Sequence, residues 1–162
     1  MTATAAPESI TVARANAPHV AVIGAGLAGL VTALRLRRAG ARVTLVTKGV
    51  GGLQLGHGTI DLLGYDPERV TNPAKGIEAF AAKHPEHPYA KIGVEAVRSG
   101  VELLSEILGE KLVNGSADEN VLVPTAVGAA RPTAFIPESM KAGVLHGDAK
   151  MVIIGVAQYK DF

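Results

Sequence analysis

Apolar residues near the start of the chain form short continuous runs on either side of a helical repeat. The run HVAVIG, residues 19–24, is apolar and ends in glycine, which is typical of a buried parallel strand. Apolar residues then recur every three or four positions and predict a helix over residues 27–39, with Gly40 just past its C-terminal end. The run ARVTLVT, residues 41–47, predicts a second strand. The predicted order is therefore strand, helix, strand.

Helical patterns also occur in the middle of the chain. Asn72 and Pro73 have the residue types of a helix N-cap and first helical position, and they open a predicted helix that stops near His84 and Pro85. Valines and leucines then repeat at alternating spacings of three and four residues over residues 93–108. This second pattern predicts a longer helix whose apolar stripe packs into the core.

Strand patterns return after these helices. The runs NVLVPTAVG and RPTAFIPESM flank GAAR and predict a hairpin with a four-residue connection, and KMVIIGV predicts a last buried strand. Because a parallel strand normally leads into another element, this ending indicates the N-terminal part of a longer protein. The predicted fold class is α/β: an incomplete Rossmann-like parallel sheet with an inserted α+β substrate-type segment. The predicted divisions are a disordered leader over residues 1–17, a first βαβ unit over 18–70, the insertion over 71–150 and a returning strand over 151–162.

Composition limits the possible functions. With 162 residues, 48% of them hydrophobic and 19% charged, the chain has enough apolar material for the core of one domain. A net charge of +1 gives no indication of a nucleic acid or an anionic surface as partner. Cysteine is absent, which excludes disulfides, cysteine-ligated iron–sulfur clusters and thiol catalysis from this chain. The longest apolar run, residues 20–34, is interrupted by glycines and is shorter than the roughly 20 residues that span a membrane, so no transmembrane helix is predicted.

The first strand and helix are joined by a glycine-rich turn with the pattern G-x-G-x-x-G. Between a strand and a helix, and followed by a second strand, this pattern is typical of a site for a phosphate-bearing cofactor. The first glycine allows the tight turn, the second lets the backbone approach a phosphate, and the third lets the helix pack closely on the strand. The N–H groups and the positive dipole end of the helix favour an anion. The predicted cofactor-binding residues of the turn are Gly24, Ala25, Gly26, Leu27, Ala28 and Gly29.

The end of the second strand lacks the acidic residue that binds ribose hydroxyls in many such sites. Its position falls at Thr47, and we predict that Thr47, Lys48 and Gly49 complete the cofactor contacts. A threonine hydroxyl offers a neutral hydrogen bond in place of a charge-assisted pair. Three cofactors remain open on these residues alone: NADP, with Lys48 at its 2′-phosphate; FAD, with a weakened ribose contact; and FMN, which has no adenosine ribose.

Five further side chains are candidates for chemistry. His57, in the loop after the second strand, could hydrogen-bond a flavin or accept a proton, although a bond to local backbone is the commoner role. Arg131 could pair with a substrate phosphate, although an exposed hairpin arginine is commoner. Asp61 has the residue type of a cap on a short helix over DLLGY. His84 and His87 flank a proline without a third ligand at suitable spacing, so they predict a solvated turn and no metal site. No catalytic base is assigned.

These segments together resemble one family of flavoproteins. The B subunit of the anaerobic glycerol-3-phosphate dehydrogenase is similar in four of them, VAVIGAGLAGLVTALRLRRAGARVTLVTKG, GHGTIDLLGY, HPYAKIG and PTAVGAARPTAFIPESMKAG, so that the resemblance covers residues 18–162. The first segment is shared with many flavoproteins, whereas its combination with the later three is specific. That family has a small or neutral residue where FAD enzymes keep their acid, and Thr47 fits this pattern.

The resemblance implies a subunit of a flavin-dependent oxidoreductase with FMN as its cofactor and FAD as the alternative. It implies oxidation of sn-glycerol 3-phosphate to dihydroxyacetone phosphate, with electrons passed to quinone in anaerobic glycerol metabolism. The implied partners are a catalytic A subunit and an iron–sulfur C subunit, which attaches the pair to the cytoplasmic face of the cell membrane. The chain alone is expected to be inactive. Two alternatives are a non-catalytic flavin-binding relay or scaffold subunit and, from Lys48 alone, an NADP-dependent reductase.

Overall fold

A computed structural model describes residues 16–147 together with residues 150, 152, 154, 155, 157 and 158. The chain divides into two compact units, Met1–His57 and Gly58–Phe162. Nearly all of the predicted leader and most of the predicted returning strand lie outside the described residues. The division into a first βαβ unit and an insertion remains a prediction.

The first unit is a βαβ arrangement. Strand β1 (His19–Ile23) leads into helix α1 (Leu27–Arg38), and strand β2 (Arg42–Val46) follows. The two strands are parallel, with His19 opposite Arg42 and Ile23 opposite Val46. Gly40 follows the helix with φ +85°, and its N–H donates to the Arg37 carbonyl oxygen at 3.0 Å. The predicted strand, helix and second strand are all present.

The strands of this unit are less buried than their sequence predicts. Val22 and Ala41 are buried, but Ile23 is 87% exposed and Val46 is 50% exposed. The prediction of a buried first strand is therefore wrong for most of β1. The physical reason is that two strands and one helix offer too little surface to cover both faces of a parallel sheet, which normally carries helices on each side.

In the second unit, a short hairpin is followed by two helices. Helix α2 (Pro73–Lys83) starts where the sequence predicts, and the Asn72 side-chain oxygen accepts a hydrogen bond from the Lys75 N–H at 2.9 Å. Helix α3 (Pro88–Leu108) is broken at Gly93, which has φ +76°. The predicted helix over residues 93–108 is thus preceded by one more helical turn, and the glycine marks the kink between them.

Among the described residues of this unit, the strands form three short antiparallel pairs and no larger sheet. Residues 121–133 form the predicted hairpin, but its connection covers residues 125–129, and Arg131 lies within a strand. A 3₁₀ helix, Glu138–Gly143, follows the last strand of this unit, and another, Leu53–Leu55, follows β2 in the first unit. The strands that pair are β3 (Tyr65–Asp66) with β4 (Glu68–Arg69), β5 (Asn114–Gly115) with β8 (Phe135–Ile136), and β6 (Val121–Pro124) with β7 (Ala130–Thr133).

The core of the second unit lies between α3 and the strands. Val101 and Leu104 of the predicted stripe are buried and Val94 packs against the core, whereas Leu108 is 41% exposed. Packing by the central part of the stripe is therefore confirmed, and its C-terminal end faces solvent. The buried cluster consists of Ala74, Val101, Val113, Ala117, Ala134 and Phe135.

Candidate functional site

The glycine-rich turn brings the start of α1 very close to the end of β1. The Gly24 N–H donates to the Val46 carbonyl oxygen at 2.8 Å, which ties the turn to the end of β2. A methyl group on Gly29 would overlap the Gly24 carbonyl oxygen and would lie 3.7 Å from a Val22 side-chain carbon. Only glycine fits at this point, so the helix and the strand approach as the sequence pattern predicts.

The N-terminus of α1 is open toward an anion. Gly26 is the N-cap residue, and among the described residues no side chain caps this helix end and no acid lies in its first turn. By contrast, Asn72 and His87 cap α2 and α3 with side-chain atoms. The first N–H groups of a helix have no intrahelical partner, and their direction and the helix dipole favour a phosphate. A methyl group on Gly26 would have no described atom within 4 Å, so the backbone is open on the side that a side chain would occupy.

Charge in the first unit is strongly one-sided. Residues 16–57 contain five Lys and Arg residues and no Asp or Glu, although the whole chain has a net charge of only +1. This asymmetry favours an anionic ligand. Whole-chain composition hid it, and the net charge of each predicted segment would have revealed it. The five cations are Arg35, Arg37, Arg38, Arg42 and Lys48.

The end of β2 forms a small turn closed by a side chain. The Thr47 hydroxyl accepts a hydrogen bond from the Gly49 N–H at 3.1 Å and also donates to the Gly49 carbonyl oxygen. Lys48 lies inside this turn and is exposed. Because a hydroxyl has one proton and two lone pairs, the turn leaves Thr47 a single acceptor position for a ligand. A cofactor contact by these residues remains a prediction.

Two candidates that the sequence treats separately form an ion pair. Arg131 donates from Nη1 to the Asp61 carboxylate at 3.1 Å and from Nη2 to the Thr59 hydroxyl at 2.9 Å. The prediction that Asp61 caps a helix is wrong, because the DLLGY segment, all of it described, forms no helix. Instead the Ile60 N–H donates to the Phe135 carbonyl oxygen at 3.0 Å, which keeps the start of this segment extended beside β8. The Arg131 side chain is 30% exposed.

The histidine candidates have different surroundings. His57 is exposed at the end of the first unit. His84 and His87 lie at the turn between α2 and α3, with their rings 4.3 Å and 4.8 Å from the Phe80 ring. His87 Nδ1 accepts a hydrogen bond from the Tyr89 N–H at 3.2 Å, so this side chain is the cap of α3. Within the described residues, no group of three or more His, Cys, Asp or Glu side chains is arranged to hold a metal ion.

A second ion pair borders a polar cleft of the second unit, about 350 Å³ in volume. The Arg98 guanidinium donates to both Asp118 carboxylate oxygens, at 2.6 Å and 2.8 Å. These hydrogen bonds hold the pKa of Asp118 below its ordinary value and raise the pKa of Arg98. Arg98 and Asp118 bind each other, so the two charges of this pair are engaged within the fold.

The Asp118 pair predicts a specific loss of stability in acid. A carboxyl group whose folded-state pKa is lowered stabilises the fold above its unfolded-state pKa of about 3.9, and the contribution disappears as the pH falls through the folded-state value. We expect Asp118→Asn to lower the free energy of unfolding at neutral pH and to make little difference in strong acid. All three tyrosines lie beyond residue 57, so tyrosine fluorescence reports the second unit. A difference between the two chains that stays constant as the pH is lowered would contradict this assignment.

Comparison with known proteins shows the family to which the chain belongs. Residues 19–162 match the family model described as an FAD binding domain, and the chain belongs to this family. The predicted α/β fold class and the predicted binding of a flavin are thereby confirmed. The family's description names FAD, the second of the two flavins that the resemblance implies.

The most informative relatives are B subunits of one dehydrogenase. The chain is 34% identical over 144 residues to a protein of Halobacterium salinarum named as the probable B subunit of anaerobic glycerol-3-phosphate dehydrogenase, covering 89% of this chain and 34% of that protein. It is 36% identical over 152 residues to the B subunit of the Yersinia enterocolitica anaerobic glycerol-3-phosphate dehydrogenase, covering 88% and 36%. The resemblance stated from the sequence is confirmed, and the chain spans about a third of the length of these relatives.

No solved structure matches the chain significantly. No described helix is long and apolar enough to cross a membrane.

Proposed function

We propose that the first unit binds the phosphate of a flavin at the N-terminus of α1. The observation that carries this proposal is that no side chain caps the N-terminus of α1. In addition, residues 16–57 contain no Asp or Glu that would repel an anion there. The N–H groups from Gly26 to Gly29 donate to phosphate oxygens, and the glycines keep the backbone accessible to them. Gly24, Ala25, Leu27 and Ala28 form the rest of the turn. In this proposal Thr47, Lys48 and Gly49 complete the contacts, because they follow Val46, whose carbonyl oxygen accepts the Gly24 N–H.

We further propose that the protein is a subunit of a flavin-dependent oxidoreductase. The names of its relatives support glycerol 3-phosphate as the substrate. In this proposal the substrate is sn-glycerol 3-phosphate, and oxidation of its secondary alcohol gives dihydroxyacetone phosphate. The electrons pass to quinone, and the partners are a catalytic A subunit and an iron–sulfur C subunit that holds the assembly at the cytoplasmic face of the membrane. The flavin supplies the redox chemistry when bound, since it accepts the hydride equivalent of the alcohol. In this proposal, the role of this chain is to bind the flavin and orient it through its phosphate.

FMN is the flavin that the residues of the first unit support best. FAD enzymes of this fold commonly bind the adenosine ribose through a carboxylate at the end of the second strand. Residues 16–57 contain no carboxylate, and the Thr47 hydroxyl is bonded within its own turn. FAD would bind through the same phosphate contacts with a weak ribose contact, in keeping with the family's description.

A relay or scaffold role is the second candidate, and the Arg131 ion pair favours it. Arg131 is the residue that the sequence predicted to pair with a substrate phosphate. Its guanidinium already donates hydrogen bonds to Asp61 and Thr59 within the fold. In this candidate function the protein binds flavin but never contacts substrate. An NADP-dependent reductase rests on the exposed Lys48 alone, and a thermal midpoint unaffected by NADP would remove it.

Steady-state kinetics of the full-length protein assembled with its partners distinguishes the two roles. If Arg131 binds the substrate phosphate, Arg131→Lys raises KM for glycerol 3-phosphate by about tenfold with unchanged flavin content, the effect of losing a charge-assisted hydrogen bond. Asp61→Asn is the matched control, because it breaks the same ion pair and keeps the arginine. His57→Asn tests the remaining candidate. Unchanged kinetics in the Arg131 and His57 variants would favour the relay, and a colourless, inactive assembly of the unchanged chain would contradict the proposed oxidoreductase.

A further inference from the structure

The loop that follows β2 packs directly against the glycine-rich turn. Gly51 in this loop has φ +72°. A methyl group on Gly51 would lie 2.5 Å from the Ala25 carbonyl oxygen, 2.7 Å from the Ala25 carbonyl carbon and 2.8 Å from the Gly26 nitrogen. These three atoms belong to one peptide group. The backbone of the loop therefore approaches that peptide group more closely than any side chain would permit.

Two glycines confine the turn from different segments. Gly29 of α1 lies against the Gly24 carbonyl, and Gly51 of the loop lies against the next peptide group, between Ala25 and Gly26. That peptide group carries the Gly26 N–H at the N-cap of α1. Its orientation decides whether this N–H points toward a phosphate bound at the end of the helix.

The loop is itself held in place on both sides of Gly51. On one side the Thr47 hydroxyl and the Gly49 backbone close a turn. On the other side the Leu55 N–H donates to the Gly52 carbonyl oxygen at 3.0 Å and closes the short 3₁₀ helix. The backbone that faces the Ala25–Gly26 peptide group is thus fixed by local hydrogen bonds, and a rigid support can hold a peptide group in one orientation.

We propose that Gly51 is a positioning residue that fixes the Ala25–Gly26 peptide group and thereby sets the affinity of the turn for a flavin phosphate. This inference rests on the proposed binding of the phosphate at α1. Gly51 does not contact the flavin in this account. It acts through the peptide group that it supports. Glycine is needed at this position because the residue has a positive φ and because a side chain would collide with that peptide group.

The experiment measures the affinities of the chain for FAD and for riboflavin, which has the same ring system but no phosphate. Gly51→Ala has two matched controls among the glycines of this unit. Gly40→Ala introduces the same strain, at φ +85°, with no described atom within 4 Å of the new methyl group. Gly52→Ala adds a methyl group at the adjacent position, where the described surroundings are again open and φ is −86°. The ratio of the two affinities separates the contribution of the adenosine diphosphate part of FAD, which contains the phosphates, from any general loss of stability.

We expect Gly51→Ala to reduce the preference for FAD over riboflavin by about 10- to 100-fold, as the loss of a hydrogen bond to a charged group would. The two control variants should keep the preference of the unchanged chain. An unchanged preference in Gly51→Ala, or an equal loss in the controls, would overturn the inference. Equal affinity of the unchanged chain for FAD and riboflavin would instead contradict the proposed function, and this inference with it.

Hydrogen exchange in the unchanged chain gives a second test that does not depend on the folding of a variant. If the loop supports the turn, FAD should slow amide exchange in a peptide covering residues 49–55 together with the peptide covering the turn, and riboflavin should slow neither to the same extent. Slower exchange at the turn with no change at residues 49–55 would overturn the inference.

Discussion

We expect Gly29→Ala to disrupt the packing of α1 on β1 and to abolish flavin binding. The new methyl group would overlap the Gly24 carbonyl oxygen and lie 3.0 Å from the Gly24 carbonyl carbon. Both atoms belong to the backbone, so no side-chain rotation relieves the collision. Overpacking of this kind costs about 3 kcal/mol or more, since typical side-chain cases already reach that value. Hydrogen exchange of the α1 peptide, residues 27–38, measures the loss, and FAD titration measures its functional consequence.

Gly100→Ala provides the matched control for this variant. Gly100 also lies in a helix, α3, but a methyl group there would have no described atom within 4 Å. Alanine is favoured over glycine inside a helix by about 1 kcal/mol, so this substitution should stabilise the chain. The two alanine substitutions are therefore expected to have opposite signs. A Gly29→Ala chain with exchange as slow as that of the unchanged chain would contradict the described approach of α1 to β1.

Gly26→Asp separates flavin binding from stability. The Gly26 position is open and has φ −73°, so an aspartate fits without strain. Aspartate is a better N-cap than glycine by a few tenths of a kcal/mol and interacts favourably with the helix dipole, so the stability of the first unit should rise slightly. Affinity for FAD should fall by about 100-fold or more, because two like charges about 4 Å apart repel by a few kcal/mol near a protein surface.

Gly26→Asn is the control that isolates the charge. Asparagine has nearly the same shape and caps a helix about as well as aspartate, but it carries no charge. We expect it to weaken FAD binding less than Gly26→Asp does and to stabilise the helix similarly. The difference between the two variants should shrink as salt is added, because screening weakens the repulsion at an exposed site. Equal FAD affinities in the two variants would exclude a phosphate at this end of the helix.

The sequence predicted elements whose signals are local and missed contacts between distant residues. The β1–α1–β2 arrangement follows from short apolar runs, a helical repeat and glycines at fixed offsets, all within about thirty residues. The Arg131–Asp61 ion pair joins residues 70 positions apart, and neither residue type indicates the other. The need for glycine at position 51 could not be predicted either, because it comes from contact with the Ala25–Gly26 peptide group in a separate segment.

Burial was the other property that local patterns did not determine. An apolar run predicts that a strand can be buried, but burial itself depends on what packs against both faces of the sheet. Ile23 has the residue type of a buried position and is 87% exposed. The predicted cofactor-binding residues of the turn differ from this case, because their geometry depends on a turn and a helix start that the pattern itself specifies. The helix was predicted to begin at residue 27, and α1 begins at Leu27 with Gly26 as its N-cap.

The most direct measurement of the central claim is the change in backbone amide chemical shifts of the isotope-labelled chain on addition of FAD or riboflavin. If a flavin phosphate binds at the N-terminus of α1, FAD produces its largest shifts at the amides of Gly26, Leu27, Ala28 and Gly29, and riboflavin produces none of comparable size at these positions. Shifts of equal size with both compounds, or FAD shifts confined to residues after His57, would contradict the account.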